Sequence, residues 1–116
     1  MSDLSEAKHF DEECIFCKII KGELPSKFIK ENEYCVVFKD LNPKAKVHLL
    51  VVPKVHVKNI LETDTALMGK ILDTIKETVK ELDLESFRII NNLGEGAGQT
   101  VFHVHFHIIS DDKLSE

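Results

Sequence analysis

Three of the six histidines of this 116-residue chain fall in one run, His103-Val104-His105-Phe106-His107-Ile108-Ile109, at strict two-residue spacing. Alternation of this kind predicts a β-strand, because successive side chains of an extended chain point to opposite faces. Val104, Phe106 and Ile108, with Phe102 before them, then form one apolar face. The other face carries three imidazoles, each able to attack, accept or donate near neutral pH. Three satisfied structural histidines are the plain alternative, and each buried ring would then need its own partners. At about 3.3 Å per residue His103 and His107 stand roughly 13 Å apart, whereas zinc ligands converge to about 2 Å from the ion. All three rings therefore do not share one metal, although an adjacent pair could. They suit a substrate lying along the strand, with one imidazole as nucleophile and a neighbour handling protons.

Two further segments carry chemistry. Gly94-Glu95-Gly96-Ala97-Gly98-Gln99-Thr100 runs directly into the histidines. It is neither a dinucleotide fingerprint nor a Walker loop, since a strand follows it and no Gly-Lys-Ser/Thr is present. Glycines still let backbone N–H groups approach an anion, and Gln99 and Thr100 add donors, so its position points to phosphate. Cys14-Ile15-Phe16-Cys17 is a C-x-x-C, which alone reads equally as half a zinc site, a redox pair or two residues on one helical turn. Asp40-Leu41-Asn42-Pro43 reads first as a turn, with Asp40 also placed to accept from ribose hydroxyls.

The elements that must position these groups follow from periodicity. Residues 14–21 predict a short helix closed by Gly22, and 64–82 a long amphipathic helix with Asp64 as its N-cap. Residues 28–30, 34–38, 47–52, 87–91 and 101–109 predict strands. Short turns with one inserted helix make this α+β, an antiparallel five-stranded sheet with one long and one short helix. The domain is expected over 14–110, with a flexible segment at 1–13 and a short tail at 111–116. Fifteen basic and 20 acidic residues leave a net charge of −5, which offers no electrostatic footprint for nucleic acid or membrane. The acidic start has no apolar signal core and no stretch is long enough to span a bilayer, so a cytoplasmic protein is expected. Cys35 reads as a buried structural thiol.

His48-Leu-Leu-Val-Val-Pro-Lys-x-His56 and Gln99-Thr-Val-Phe-His103-x-His105-x-His107-Ile-Ile together resemble the histidine triad superfamily, in particular its nucleotide-binding phosphoramidases. The likeness runs from Cys14 to Ile109. It implies a homodimer that releases purine nucleoside monophosphates, AMP- or GMP-like, from an amine or other leaving group. Carried over residue by residue, it implies His105 as the nucleophile forming a nucleotidyl-histidine, His107 at the phosphate or leaving group, and His48 orienting the nucleophilic ring. Asn92, Gln99 and Thr100 would be phosphate ligands and Asp40 a ribose ligand. Ile15, Phe16, Phe38 and Leu41 would sandwich the purine. It further implies a closed structural zinc on Cys14, Cys17, His56 and His103, as in some members, many of them bacterial, and no organic cofactor. A dinucleoside polyphosphate hydrolase and a nucleotide-binding regulatory or scaffold subunit are the alternative functions.

Overall fold

The computed structural model describes residues 11–111. Most of the segment 1–13, expected to be flexible, and most of the expected short tail 111–116 thus lie outside the described residues. Residues 11–13 form a turn, closed by the Cys14 N–H on the Asp11 carbonyl at 3.0 Å. The chain runs α1 (Ile15–Lys21), β1 (Phe28–Glu31), β2 (Cys35–Lys39), β3 (Val47–Pro53), α2 (Thr65–Glu81), β4 (Arg88–Ile90) and β5 (Phe106–Ser110), with 3₁₀ turns at Ile60–Glu62 and Glu95–Ala97. The sheet is antiparallel in the order β1-β2-β3-β5-β4.

Both faces of the sheet are covered, which explains why β3 is apolar at every position but His48 and buried at all seven. On one face, Val37, Leu49, Val51, Val104, Phe106 and Ile108 pack against Ile71, Ile75 and Val79 of α2. These α2 residues recur every four positions and so lie on one stripe. Burying each contributes roughly 1.5–3 kcal/mol. Asp64 caps α2 as predicted, its Oδ1 accepting from the Leu67 N–H at 2.8 Å. On the other face α1 packs Phe16 and Cys17 against Val36, Phe38, Leu50 and Val52. Gly22 ends α1 at φ 88°, a left-handed conformation that favours glycine.

The histidine run departs from expectation. Strand β5 begins only at Phe106, so His103 and His105 precede it. The β3 ladder pairs Val51 with Phe106 and goes no further. Beyond that point other partners take the backbone: the Val104 N–H donates to the Val57 carbonyl at 2.6 Å, and Asn91 Nδ2 donates to the His105 carbonyl at 2.9 Å. Val104 still joins Phe106 and Ile108 in the core, whereas Phe102 is substantially exposed. The strand expected over 87–91 contracts to Arg88–Ile90 at the sheet edge.

Candidate active site and metal centre

The registers His48↔Ile109, Leu50↔His107 and Ile90↔His107 bring these side chains to the face that carries α1. There they line a cavity of 540 Å³, a size suited to a small ligand. Its apolar lining includes Ile15, Phe16, Ile19, Pro25, Phe38, Leu41 and Leu50; its polar lining includes Asp40, Lys44, His48, Asn92, Thr100, His105 and His107. Phe16 stacks edge-on against Phe38 at 5.7 Å between centroids and against His105 at 5.0 Å. Leu41 lies on the cavity wall yet is 92% exposed. A flat apolar ligand would cover it.

The protonation of the rings follows from their partners. A carbonyl only accepts, so His105 Nδ1–H donates to the His103 carbonyl at 2.8 Å, and Nε2 of His105 carries a lone pair. The Lys44 N–H donates to His48 Nδ1 at 3.0 Å, so neutral His48 has its proton on Nε2, which donates to His107 Nδ1 at 2.8 Å. His107 is then left with an Nε2–H donor. The rings of His105 and His107 lie 5.2 Å apart. Burial pushes His105 down from the ordinary imidazole value, against the opposing His103 carbonyl and Asp40 carboxylate. Burial, with the charges of His105 and His48, pushes His107 down to about 4. At pH 7 the site holds a neutral ring with a free lone pair, His105, beside a neutral donor, His107. His48 meets His107 rather than His105, whose orientation comes from the backbone.

A second cluster adjoins the first. The ligand atoms of Cys14, Cys17, His56 and His103 all lie within 4.8 Å of one another. His103 Nδ1 stands 3.3 Å from Cys14 Sγ, 3.5 Å from Cys17 Sγ and 3.3 Å from His56 Nδ1, and Cys17 Sγ stands 3.4 Å from His56 Nδ1. A tetrahedral zinc separates nitrogen ligands by about 3.3 Å and nitrogen from sulfur by roughly 3.5 Å. His103 Nε2–H donates to the Pro53 carbonyl at 2.8 Å, which leaves Nδ1 unprotonated and aimed into the cluster. Burial pushes His103 down to about 4, favouring the neutral ligand form. N–H groups of Cys17 and Asp11 donate to Cys14 Sγ and Cys17 Sγ at 3.3 and 3.4 Å, as they would to thiolates. The four residues therefore fit a tetrahedral cation. Without one, burial pushes Cys17 up to about 12, and protonated thiols can bond the imidazoles weakly instead.

Asp40, His48 and His107 also approach one another, but there a proton occupies the His48–His107 contact and His48 Nδ1 is taken by the Lys44 amide. That trio is a hydrogen-bond chain. Asp40 accepts from the Asn42 N–H at 2.8 Å through Oδ1, and its Oδ2 lies 3.4 Å from His48 Nε2.

The glycine loop differs from its expected role. The Ala97 and Gln99 amides close on the Gly94 carbonyl and the Gly98 amide on that of Glu95. Gln99 does not line the cavity: its Oε1 accepts from the Gly94 N–H, and its Nε2 donates to the Lys58 and Val101 carbonyls. It shapes the loop, while Gly98, Thr100 and Val101 face the cavity. Three residues of the site carry no sequence signal of their roles: Asn91, which clamps the His105 backbone, and Asp11 and Pro53, which flank the cysteine-histidine cluster. Asn91 just past a strand and Asp11 before a helix look like turn formers, and a carbonyl has no signature.

A HIT domain family model matches residues 21–114. An uncharacterised HIT-like protein of Methanocaldococcus jannaschii is 46% identical over 99 residues, covering 83% of this chain and 77% of its own length. Protein hit of Bacillus subtilis is 41% identical over 108 residues, covering 87% and 72%. A solved HIT family hydrolase from Clostridium thermocellum matches with a TM-score of 0.82 at 38% identity, over 91% of this chain and 96% of its own. A histidine triad protein from Clostridium difficile has the same score at 40% identity, over 91% and 96%. On the sheet, the paired histidines and these relatives together, the chain belongs to the HIT domain family.

Proposed function

We propose that this protein is a hydrolase of the phosphoramidase branch, releasing purine nucleoside monophosphates through a nucleotidyl-His105 intermediate. The observation that carries the reading is the opposed protonation of two neighbouring rings: a lone pair on His105 Nε2, enforced by the His103 carbonyl, beside an N–H on His107. A purine fits between Ile15, Phe16, Phe38 and Leu41, with Asp40 near the ribose and Asn92 and Thr100 near the phosphate. His105 Nε2 bonds to phosphorus as the leaving group departs with the bonding pair. The negative phosphate draws a proton onto the coupled His48–His107 pair, and His107 Nε2 passes it to the departing atom. Water then displaces His105, returning a proton to His107.

Cys14, Cys17, His56 and His103 would hold a zinc that has no open position for substrate. Its chemistry is structural, tying α1 to the His103 segment. The exposed edge of β4, with Phe87 and Ile89 38% and 42% exposed, supports a homodimer built on that edge. Three free, buried cysteines fit the cytoplasm. The test is turnover of adenosine 5′-phosphoramidate by wild type and His105→Ala. Loss of at least about 10³-fold is expected for removal of a covalent nucleophile, with a trapped nucleotidyl-protein only in wild type. Undiminished turnover in the variant refutes the assignment.

A further inference from the structure

We propose that Lys44 is a specificity residue that selects substrates whose leaving group carries its own anion, a carboxylate or a phosphate. The inference rests on the reading of His105 as the nucleophile. The cavity is lined by four ionisable groups besides His105 and His107, namely Lys39, Asp40, Lys44 and His48. Lys44 is exposed, and no carboxylate among the described residues lies within ion-pair distance of its ammonium. An ammonium on a cavity-lining residue, with no carboxylate partner among the described residues, is open to one supplied by the ligand.

Its place relative to the chemistry is set by the backbone. The Lys44 N–H holds His48 Nδ1 at 3.0 Å, and His48 holds His107 at 2.8 Å. Lys44 thus belongs to the His107 flank of the cavity, and its charge is among those acting on His107. Attacking and leaving atoms stand roughly in line across the transferred phosphorus. The leaving atom is therefore the one turned away from His105, and His107 is the ring that delivers its proton. Substituents of that atom extend past His107, toward the flank that Lys44 lines, where no carboxylate among the described residues pairs with it.

The bond changes are the same for both anion sources. For an amino-acid phosphoramidate the P–N bond breaks, and the nitrogen keeps the pair and gains the His107 proton, leaving an amine whose carboxylate lies toward Lys44. For a phosphoanhydride the P–O bond breaks and the released phosphate oxygen keeps the pair.

The experiment compares three compounds on the full chain: the adenosine phosphoramidates of glycine and of glycinamide, which differ in one charge, and ADP. Wild type is expected to show a KM for the glycine compound about fivefold below that for glycinamide, the scale of one exposed charge pair, with similar kcat. In Lys44→Met the ratio falls to about one, in Lys44→Arg most of it returns, and in Lys39→Met it persists. Cleavage of ADP to AMP and phosphate that is lost in Lys44→Met assigns the phosphate source; preference for the glycine compound with ADP inert assigns the carboxylate. Equal KM values in wild type with ADP inert, or discrimination that survives Lys44→Met, overturn the proposal. If no compound is cleaved at all, the reading of His105 falls and this one with it.

Discussion

Stripping the metal from the cysteine-histidine cluster tests the reading that is easiest to quantify. The cluster links Cys14 and Cys17 to His56 and His103, residues 39 to 89 positions apart in sequence. A cation bound only by the folded chain stabilises it by about 4 kcal/mol when the free ion stands near 1,000 times its dissociation constant. For 116 residues the unfolding entropy is roughly 0.24 kcal/mol/K, so the melting temperature should fall by about 17 °C on chelation. The fall is bounded, because protonated thiols can still meet His56 and His103 at 3.3–3.4 Å. The stripped protein should fold and melt early. Calorimetric melts with and without chelator, alongside elemental analysis, read the shift; Cys17→Ser should melt near the chelated wild type and ignore chelator. Protein that binds no zinc, or a melt that moves by less than about 2 °C as the ion leaves, refutes the reasoning.

Other perturbations probe the remaining links. His107 is pushed down to about 4 by burial and neighbouring imidazoles, and a bound phosphate raises it; AMP binding should take up protons between about pH 4 and the raised value and tighten as pH falls through that window, read by calorimetry in buffers of different ionisation enthalpy. Proton release on binding would contradict it. Asn91→Leu removes the 2.9 Å bond to the His105 carbonyl; kcat should fall roughly 10- to 100-fold with little change in KM, as for a misplaced reacting group. Ile75→Ala, in the core between α2 and the sheet, should cost about 2–4 kcal/mol and lower the melt by roughly 8–16 °C while zinc content holds.

What the sequence made legible was governed by local period and side-chain type. The four-residue recurrence of Ile71, Ile75 and Val79 and the cap at Asp64 are local signals, and α2 lies one residue inside the expected ends. Strands read well where both faces pack, as in β3. The run from 101 to 105 read as strand because its alternation is real: Val104 is buried in the core while His103 and His105 face the other way, 0% and 8% exposed. Periodicity reports where side chains point, and the ladder partner is set elsewhere, by Val57 and Asn91. Gln99 shows the same limit. A glutamine beside glycines and histidines has the donors a phosphate needs, but its two N–H groups serve Lys58 and Val101, and nothing in the local sequence marks those carbonyls as takers.

The early end of the strand has a chemical consequence. In a regular ladder a carbonyl lies in the plane of the sheet and bonds to the neighbouring strand. The His103 carbonyl instead receives the imidazole N–H of His105, two residues on in its own chain. That contact puts the lone pair of His105 on the atom that faces the cavity, so the irregular backbone sets the tautomer of the proposed nucleophile. The same residue anchors the irregularity: the His103 ring is pinned by the Pro53 carbonyl on one nitrogen and turned to the cysteines with the other. One histidine thus belongs to both clusters through different parts of itself, its side chain fitting a metal and its main chain holding the His105 ring. Substituting His103 should therefore disturb both metal content and turnover. Cys17→Ser should disturb turnover only as far as the His103 backbone moves, so unequal losses in the two variants would separate the carbonyl's part from the ring's.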